Sequence, residues 1–159
     1  MLSEKPRGAF MADNCGFYWL EKGTLAGSAY PGACLDWLYH HQGIRAIISL
    51  ERLQPQDLET AKQLGFQLVT VPIPDFTPGS LAQREQVLTA IDTFQKIGLP
   101  TLVHCQGGLG RTGMTLALYL VLYNGINPQE AISRIRTICP GSIEEGTGQE
   151  EVIRSAITE

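Results

Sequence analysis

Thr101-Leu102-Val103-His104-Cys105-Gln106-Gly107-Gly108-Leu109-Gly110-Arg111-Thr112-Gly113 is the stretch on which the fold turns. Its first four residues form a short aliphatic run of strand length, and it leads into Met114–Tyr123, which is apolar nearly all round. A buried strand, a glycine-rich turn and a fully buried helix together make the repeating unit of a sheet covered by helices. The backbone N–H groups of such a turn converge at a helix N-terminus, where unpaired donors and the positive end of the dipole favour an anion. The turn therefore reads as an anion cradle, with a cysteine at its first position and an arginine at its last.

On both sides of the turn, short β-branched or aliphatic runs alternate with longer amphipathic segments. Arg45–Leu50, Gln67–Val71 and Thr101–His104 are predicted strands, and Leu25–Ser28 is predicted as an edge. Helices are predicted over Ala33–Gln42 and Gln56–Leu64. Another starts after Ser80, which with Gln83 three residues later can form a capping box. Its Val87, Leu88, Ile91 and Phe94 make one apolar stripe. Asn127-Pro128-Gln129-Glu130 reads as N-cap, N1 proline and N3 glutamate of a helix whose Ile132, Ile135 and Ile138 face inward; Pro140-Gly141 ends it. A last helix is expected over Gly148–Ile157. The pattern predicts an α/β fold with a mostly parallel sheet, in one domain over residues 17–159, preceded by a lead-in or strap over residues 1–16.

Length and charge narrow the function. At 159 residues the chain is near the commonest single-domain size. Its 12 basic against 16 acidic residues give a net charge of −4, which argues against a surface built to coat nucleic acid or anionic lipid. The N-terminal residues have no signal-peptide core, and Met114–Tyr123 is about half the roughly 20 residues a membrane span needs, so the expected location is cytoplasmic. Cys15, Cys34, Cys105 and Cys139 show no Cys-x-x-Cys spacing and resemble neither a zinc site nor a dense disulfide framework.

Within the cradle, cationic surroundings and a helix N-terminus favour the thiolate of a cysteine, so Cys105 is the expected nucleophile. Arg111 offers a planar fork matched to two phosphoryl oxygens, a geometry that lysine cannot reproduce. Thr112 can donate to the sulfur and ease its departure. His104 is expected to be a packed, hydrogen-bonded support of the loop. Gly108-x-Gly110-x-x-Gly113 is formally a dinucleotide fingerprint, but too little chain follows it and it leaves Cys105 and Arg111 unexplained.

Cys105, five residues, Arg111, set in His-Cys-x-x-Gly-x-x-Arg-Thr-Gly, resembles the signature loop of the cysteine-dependent protein tyrosine phosphatases. Leu25-Ala26-Gly27 after Trp19, Ile73-Pro74-Asp75-Phe76 and Pro140-Gly141-Ser142-Ile143-Glu144 make the remainder similar to the small atypical dual-specificity phosphatases. The resemblance implies a four- to five-stranded sheet flanked by helices. It also implies a phosphocysteine intermediate with no metal and no cofactor, and phosphate contacts from Gln106, Gly107, Gly108, Leu109, Gly110 and Arg111. The implied substrate is a phosphorylated protein or peptide, with phosphate, sulfate or vanadate able to enter the loop. No nucleic acid or membrane partner is implied, and the chain is expected to be a monomer. A non-protein phosphate ester and an inactive phosphate-binding module are the competing readings; the uncharged Gln106, Gly107, Leu109 and Gly110 weigh against polyanionic lipid substrates.

The mechanism needs an acid for the leaving oxygen. Of five aspartates, Asp13 lies in the lead-in, Asp36 and Asp92 fall inside helix patterns, and Asp57 serves a helix start. Asp75 lies in Pro72–Gly79, which can be neither helix nor central strand and follows the C-terminal end of a strand. Adjacent strand ends border one crevice, so Asp75 can face the cysteine loop. The family's acid occupies the corresponding loop. Gln149 resembles the glutamine that positions the hydrolytic water, at a spacing from Ile143 one residue longer than the family's; a solvent-facing helix residue is the competing reading.

Overall fold

The computed structural model describes residues 14–157. Five strands, β1 Tyr18–Glu21, β2 Leu25–Ser28, β3 Ala46–Ser49, β4 Gln67–Thr70 and β5 Thr101–His104, form one sheet in the order β1-β2-β5-β3-β4. Only the β1–β2 pair is antiparallel; β2, β5, β3 and β4 run parallel. The helices are α1 Leu35–His40, α2 Pro55–Leu64, α3 Leu81–Lys96, α4 Gly110–Asn124, α5 Pro128–Ile138 and α6 Gln149–Arg154.

Alternation along each strand divides the core between two faces. Leu25, Ala46, Ile48 and Val103 point to one side, where α3, α4, α5 and α6 bury Ile91, Met114, Leu116, Ile132 and Ile153. Ala26, Ile47 and Leu102 point to the other, against Leu35 and Leu38 of α1 and Ala61 of α2. Both faces are covered, so the parallel strands read as continuous apolar runs. The register sets Ser28 of β2 and Ser49 of β3 level with His104 of β5. The chain therefore leaves three neighbouring strands on one rim, and the functional loops gather there.

The predicted starts of α3 and α5 are present in detail. Ser80 Oγ accepts from Gln83 N while Gln83 Oε1 accepts from Ser80 N, and Asn127 Oδ1 accepts from the amides of Gln129 and Glu130. Four expectations change. Leu25–Ser28 is an interior strand rather than an edge, because Tyr18–Glu21, which the sequence reading missed, pairs along its outer side. The first helix is shorter than Ala33–Gln42 and follows a 3₁₀ turn, Gly32–Cys34. Ile138 is 38% exposed because the helix ends at it, beyond the packed stripe of Ile132 and Ile135. The last helix spans Gln149–Arg154, inside the predicted Gly148–Ile157.

Of the predicted lead-in, residues 1–13 lie outside the described residues. Cys15 is bonded to Cys34, with Cα atoms 6.4 Å apart. No helix among the described residues is long and apolar enough to cross a membrane.

Candidate active site

The loop from Cys105 to Arg111 joins β5 to α4, and its path requires glycine at two points. Gly108 has φ +78°, and a Cβ there would meet Ala29 N at 2.6 Å and the carbonyl carbon of Ser28 at 2.8 Å, both rigid backbone. At Gly110, a Cβ would collide with the carboxylate of Glu144 and crowd Gln149 Oε1. The turn is thereby pressed against the end of β2 on one side and the α5–α6 connection on the other. Cys105 is 2% exposed, and its sulfur accepts from Gly108 N at 3.3 Å and Thr112 Oγ1 at 3.1 Å. Gln106 and Gly107 are exposed, Leu109 is half-buried and Gly110 buried.

Beneath the loop, His104 is fully buried: one ring nitrogen, Nδ1, lies 3.0 Å from Cys105 O and the other, Nε2, 2.7 Å from Ser49 Oγ. The neutral ring fits both contacts, donating to the carbonyl and accepting from the hydroxyl. Burial pushes its pKa down to about 4 against the smaller opposing effect of the bond to Cys105 O.

Arg111 is 2% exposed and carries the densest contacts of the site. Its Nη1 donates to Ile73 O at 2.6 Å and to Glu51 Oε1 at 2.8 Å, and Nη2 lies 3.4 Å from Asp75 Oδ1. Its Nε is buried without a hydrogen-bond partner. An unsatisfied buried donor costs about 1–3 kcal/mol, which an anionic oxygen at that edge would recover. Asp75 is half-exposed on the β4–α3 connection and accepts from Phe76 N at 2.9 Å. Phe76 itself has φ +59°, the left-handed region that a bulky residue adopts only under constraint. Leu50, Glu51, Pro72, Pro74, Asp75, Gln106 and Arg111 line a cleft of about 560 Å³ at the strand ends.

The structure thus sets Arg111 and Asp75 on one cleft with Gln106, and pairs buried Cys105 with Thr112 where β5 passes into α4, with His104 below. Gln149 is fully buried rather than solvent-facing: its Oε1 accepts from Glu144 N at 2.9 Å and its Nε2 donates to Thr77 O at 3.1 Å. It ties the α5–α6 connection to the loop that carries Asp75. Two acids escaped the sequence reading. Glu51 follows β3 and fixes the guanidinium, and Glu144 sits against Gly110 with Oε1 buried and unpartnered. Burial, then the neighbouring Asp75, push the Glu144 carboxyl upward, while Arg111 pulls it down. Glu51 stands alone after a strand with no local signature, whereas Glu144 closes the family-like stretch Pro140–Glu144 without a role assigned to it there.

A parallel α/β sheet that holds a cysteine sulfur and a buried guanidinium in one helix-capping glycine loop defines a phosphate-loop protein of the cysteine type. The chain belongs to the family described as "Swiss Army Knife protein, DSP-PTPase phosphatase domain", whose model matches residues 14–153. It is 33% identical to the mouse cyclin-dependent kinase inhibitor 3 over 84 residues, which is 53% of this chain and 40% of that protein. It is 32% identical to the tyrosine-protein phosphatase CDC14 of Saccharomyces cerevisiae (strain ATCC 204508 / S288c) over 82 residues, 52% of this chain and 15% of that protein. The chain therefore spans well under half the length of these relatives. The crystal structure of Tk-PTP in the active form matches with a TM-score of 0.77 at 28% identity, covering 87% of this chain and 92% of that one.

Proposed function

We propose that this chain is a phosphomonoester hydrolase that works through a phosphocysteine at Cys105, acting on phosphotyrosine and also on phosphoserine or phosphothreonine in proteins or peptides. The observation that carries the reading is a sulfur held by two donors, six residues before a buried guanidinium whose Nε has no protein partner and which lines one cleft with Gln106 and Asp75. Cys105 Sγ attacks phosphorus while the ester P–O bond breaks, and Asp75 gives the departing oxygen its proton. Arg111 and the amides of residues 106–110 meet the charge on the three equatorial oxygens, and Thr112 steadies the sulfur when it leaves again. Because these groups supply the nucleophile, the acid and the cation, the reading calls for no metal. His104 supports the loop through Cys105 O, and Gln149 braces the Asp75 loop.

The cleft is open enough that Asp75 is half-exposed, which suits ester groups of different depth, and one relative, the yeast CDC14, is a tyrosine-protein phosphatase. The decisive experiment uses 4-nitrophenyl phosphate. Turnover is expected to persist in chelator, to be blocked by vanadate and to vanish in Cys105→Ser, which still binds vanadate. Turnover retained by Cys105→Ser overturns the reading.

A further inference from the structure

At about 560 Å³ the cleft has room for a side chain and its neighbours beside the reacting phosphate. Its lining sorts by what each side chain already does. Leu50, Pro72 and Pro74 give an apolar wall. Glu51, Asp75 and Arg111 are engaged with one another, through contacts of 2.8 and 3.4 Å. Arg52 and Gln106 remain. Both are exposed, both line the cleft, and neither side chain has a hydrogen-bond or ion-pair partner among the described residues.

The acids that flank Arg52 in the chain are already taken. Glu51 Oε1 accepts from Arg111 Nη1, and Asp57 Oδ2 accepts from the Tyr30 hydroxyl at 2.6 Å. The Arg52 guanidinium therefore keeps its whole charge and its five donors for something outside the chain. With Asp75 protonated, as an acid for the leaving oxygen must be, the charged groups of the lining are Arg111 and Arg52 against Glu51 alone. Arg111 meets the reacting phosphate, so one positive charge is left for a different group of the substrate.

The place of Arg52 says which group that is. It follows Glu51 in the irregular segment between β3 and α2, one Cα spacing of about 3.8 Å further on. The step from a phosphoresidue to the next residue of a peptide has the same length. A polyphosphorylated headgroup would bring several further anionic groups to one free cation, beside Glu51 and an uncharged Gln106. A single carboxylate matches it.

We propose that Arg52 is a specificity-determining residue that holds a carboxylate adjoining the phosphoresidue, so that the substrate class is acidic phosphopeptides. The proposal rests on the phosphatase reading. The phosphate sits on the cysteine loop, the carbon body of the phosphoresidue lies along Leu50, Pro72 and Pro74, and a flanking Asp or Glu side chain meets the Arg52 fork. Because Arg52 is exposed, this pair adds modestly to affinity and acts on encounter and choice of partner. Its effect falls on KM rather than kcat and weakens as salt screens it.

The test uses three synthetic phosphotyrosine peptides, identical except that both residues beside the phosphotyrosine are Glu, Gln or Lys, with phosphate release as the readout. For the wild type, kcat/KM is expected to be about five-fold higher on the Glu peptide than on the Gln peptide, with the difference in KM and shrinking at high salt. Arg52→Ala is expected to bring that ratio near unity, and Arg52→Lys to keep part of it. Arg52→Glu is expected to reverse the order, so that the Lys peptide overtakes the Glu peptide, a gain that a folding defect cannot produce. A wild type without the preference, or Arg52→Ala that retains it, overturns the proposal. So does a short-chain phosphatidylinositol phosphate that outpaces the Glu peptide and loses that lead in Arg52→Ala, since Arg52 then serves a headgroup. Failure of the phosphatase reading shows differently, as no phosphate release from any peptide or as release undiminished in Cys105→Ser.

Discussion

Arg111 shows how a residue can be plain in the sequence and its setting hidden. Its place six residues after Cys105 marks it from the primary structure, yet a guanidinium this buried needs partners, and those come from elsewhere: Ile73 O after β4 and Glu51 after β3. Neither segment has a pattern that announces the contact. His104 carries a prediction at the same scale. Its folded pKa of about 4 lies below the ordinary value of 6.5, so between these limits the unfolded chain binds more protons and stability falls as the pH falls. Its stabilising effect is complete above pH 6.5 and is lost progressively down to pH 4, by up to about 3 kcal/mol. Urea unfolding at pH 7.5, 5.5 and 4.5 is expected to show this slope, and His104→Gln to flatten it. Cys105, Arg111, Thr112 and the glycines were legible because they are contiguous. Glu51 was not, and Glu144 only as the end of a family-like stretch, since the fold alone makes them neighbours of the loop.

Among the elements, legibility followed the locality of the signal. The box at Ser80 and the cap at Asn127 use side chains within three residues of the helix start, so the sequence states them directly. Strand β1 has no comparable signal. It is four residues long, breaks register between Trp19 and Glu21, and depends on its partner β2, whose Gly27 leaves room for the Tyr18 ring. That partner had looked like an edge because Leu-Ala-Gly-Ser is short and small, but smallness here reflects an aromatic ring lying across it. The α5 cap gives a test that stays clear of the site. Asn127→Ala removes the acceptor for two amides and is expected to lower stability by about 1 kcal/mol while kcat stays at the wild-type value. Chemical denaturation and 4-nitrophenyl phosphate turnover on the same preparation check both halves.

At the scale of the molecule, one covalent link joins the approach to β1 with the turn before α1, on the face of the sheet opposite α4. Cys34 is committed to Cys15, and Cys105 and Cys139 are the free cysteines of the described residues. A bridge across 19 positions removes unfolded-state entropy worth roughly 3 kcal/mol. It also reaches toward the cysteine loop, because Cys15 O accepts from Ala29 N at 2.9 Å and Ala29 is the backbone against which Gly108 packs. The link to the loop is nonetheless made of backbone contacts that the sheet holds independently, through the β2–β5 pairing that ends at Ser28 and His104. Stability and catalysis should therefore separate. Reduction, or paired Cys15→Ser and Cys34→Ser substitution, is expected to lower unfolding free energy by roughly 3 kcal/mol and leave kcat at 25 °C within about two-fold of wild type. Urea melts with and without dithiothreitol, with turnover measured alongside, check this: a fall in kcat that parallels the fall in stability would show that the bridge shapes the loop as well as the fold.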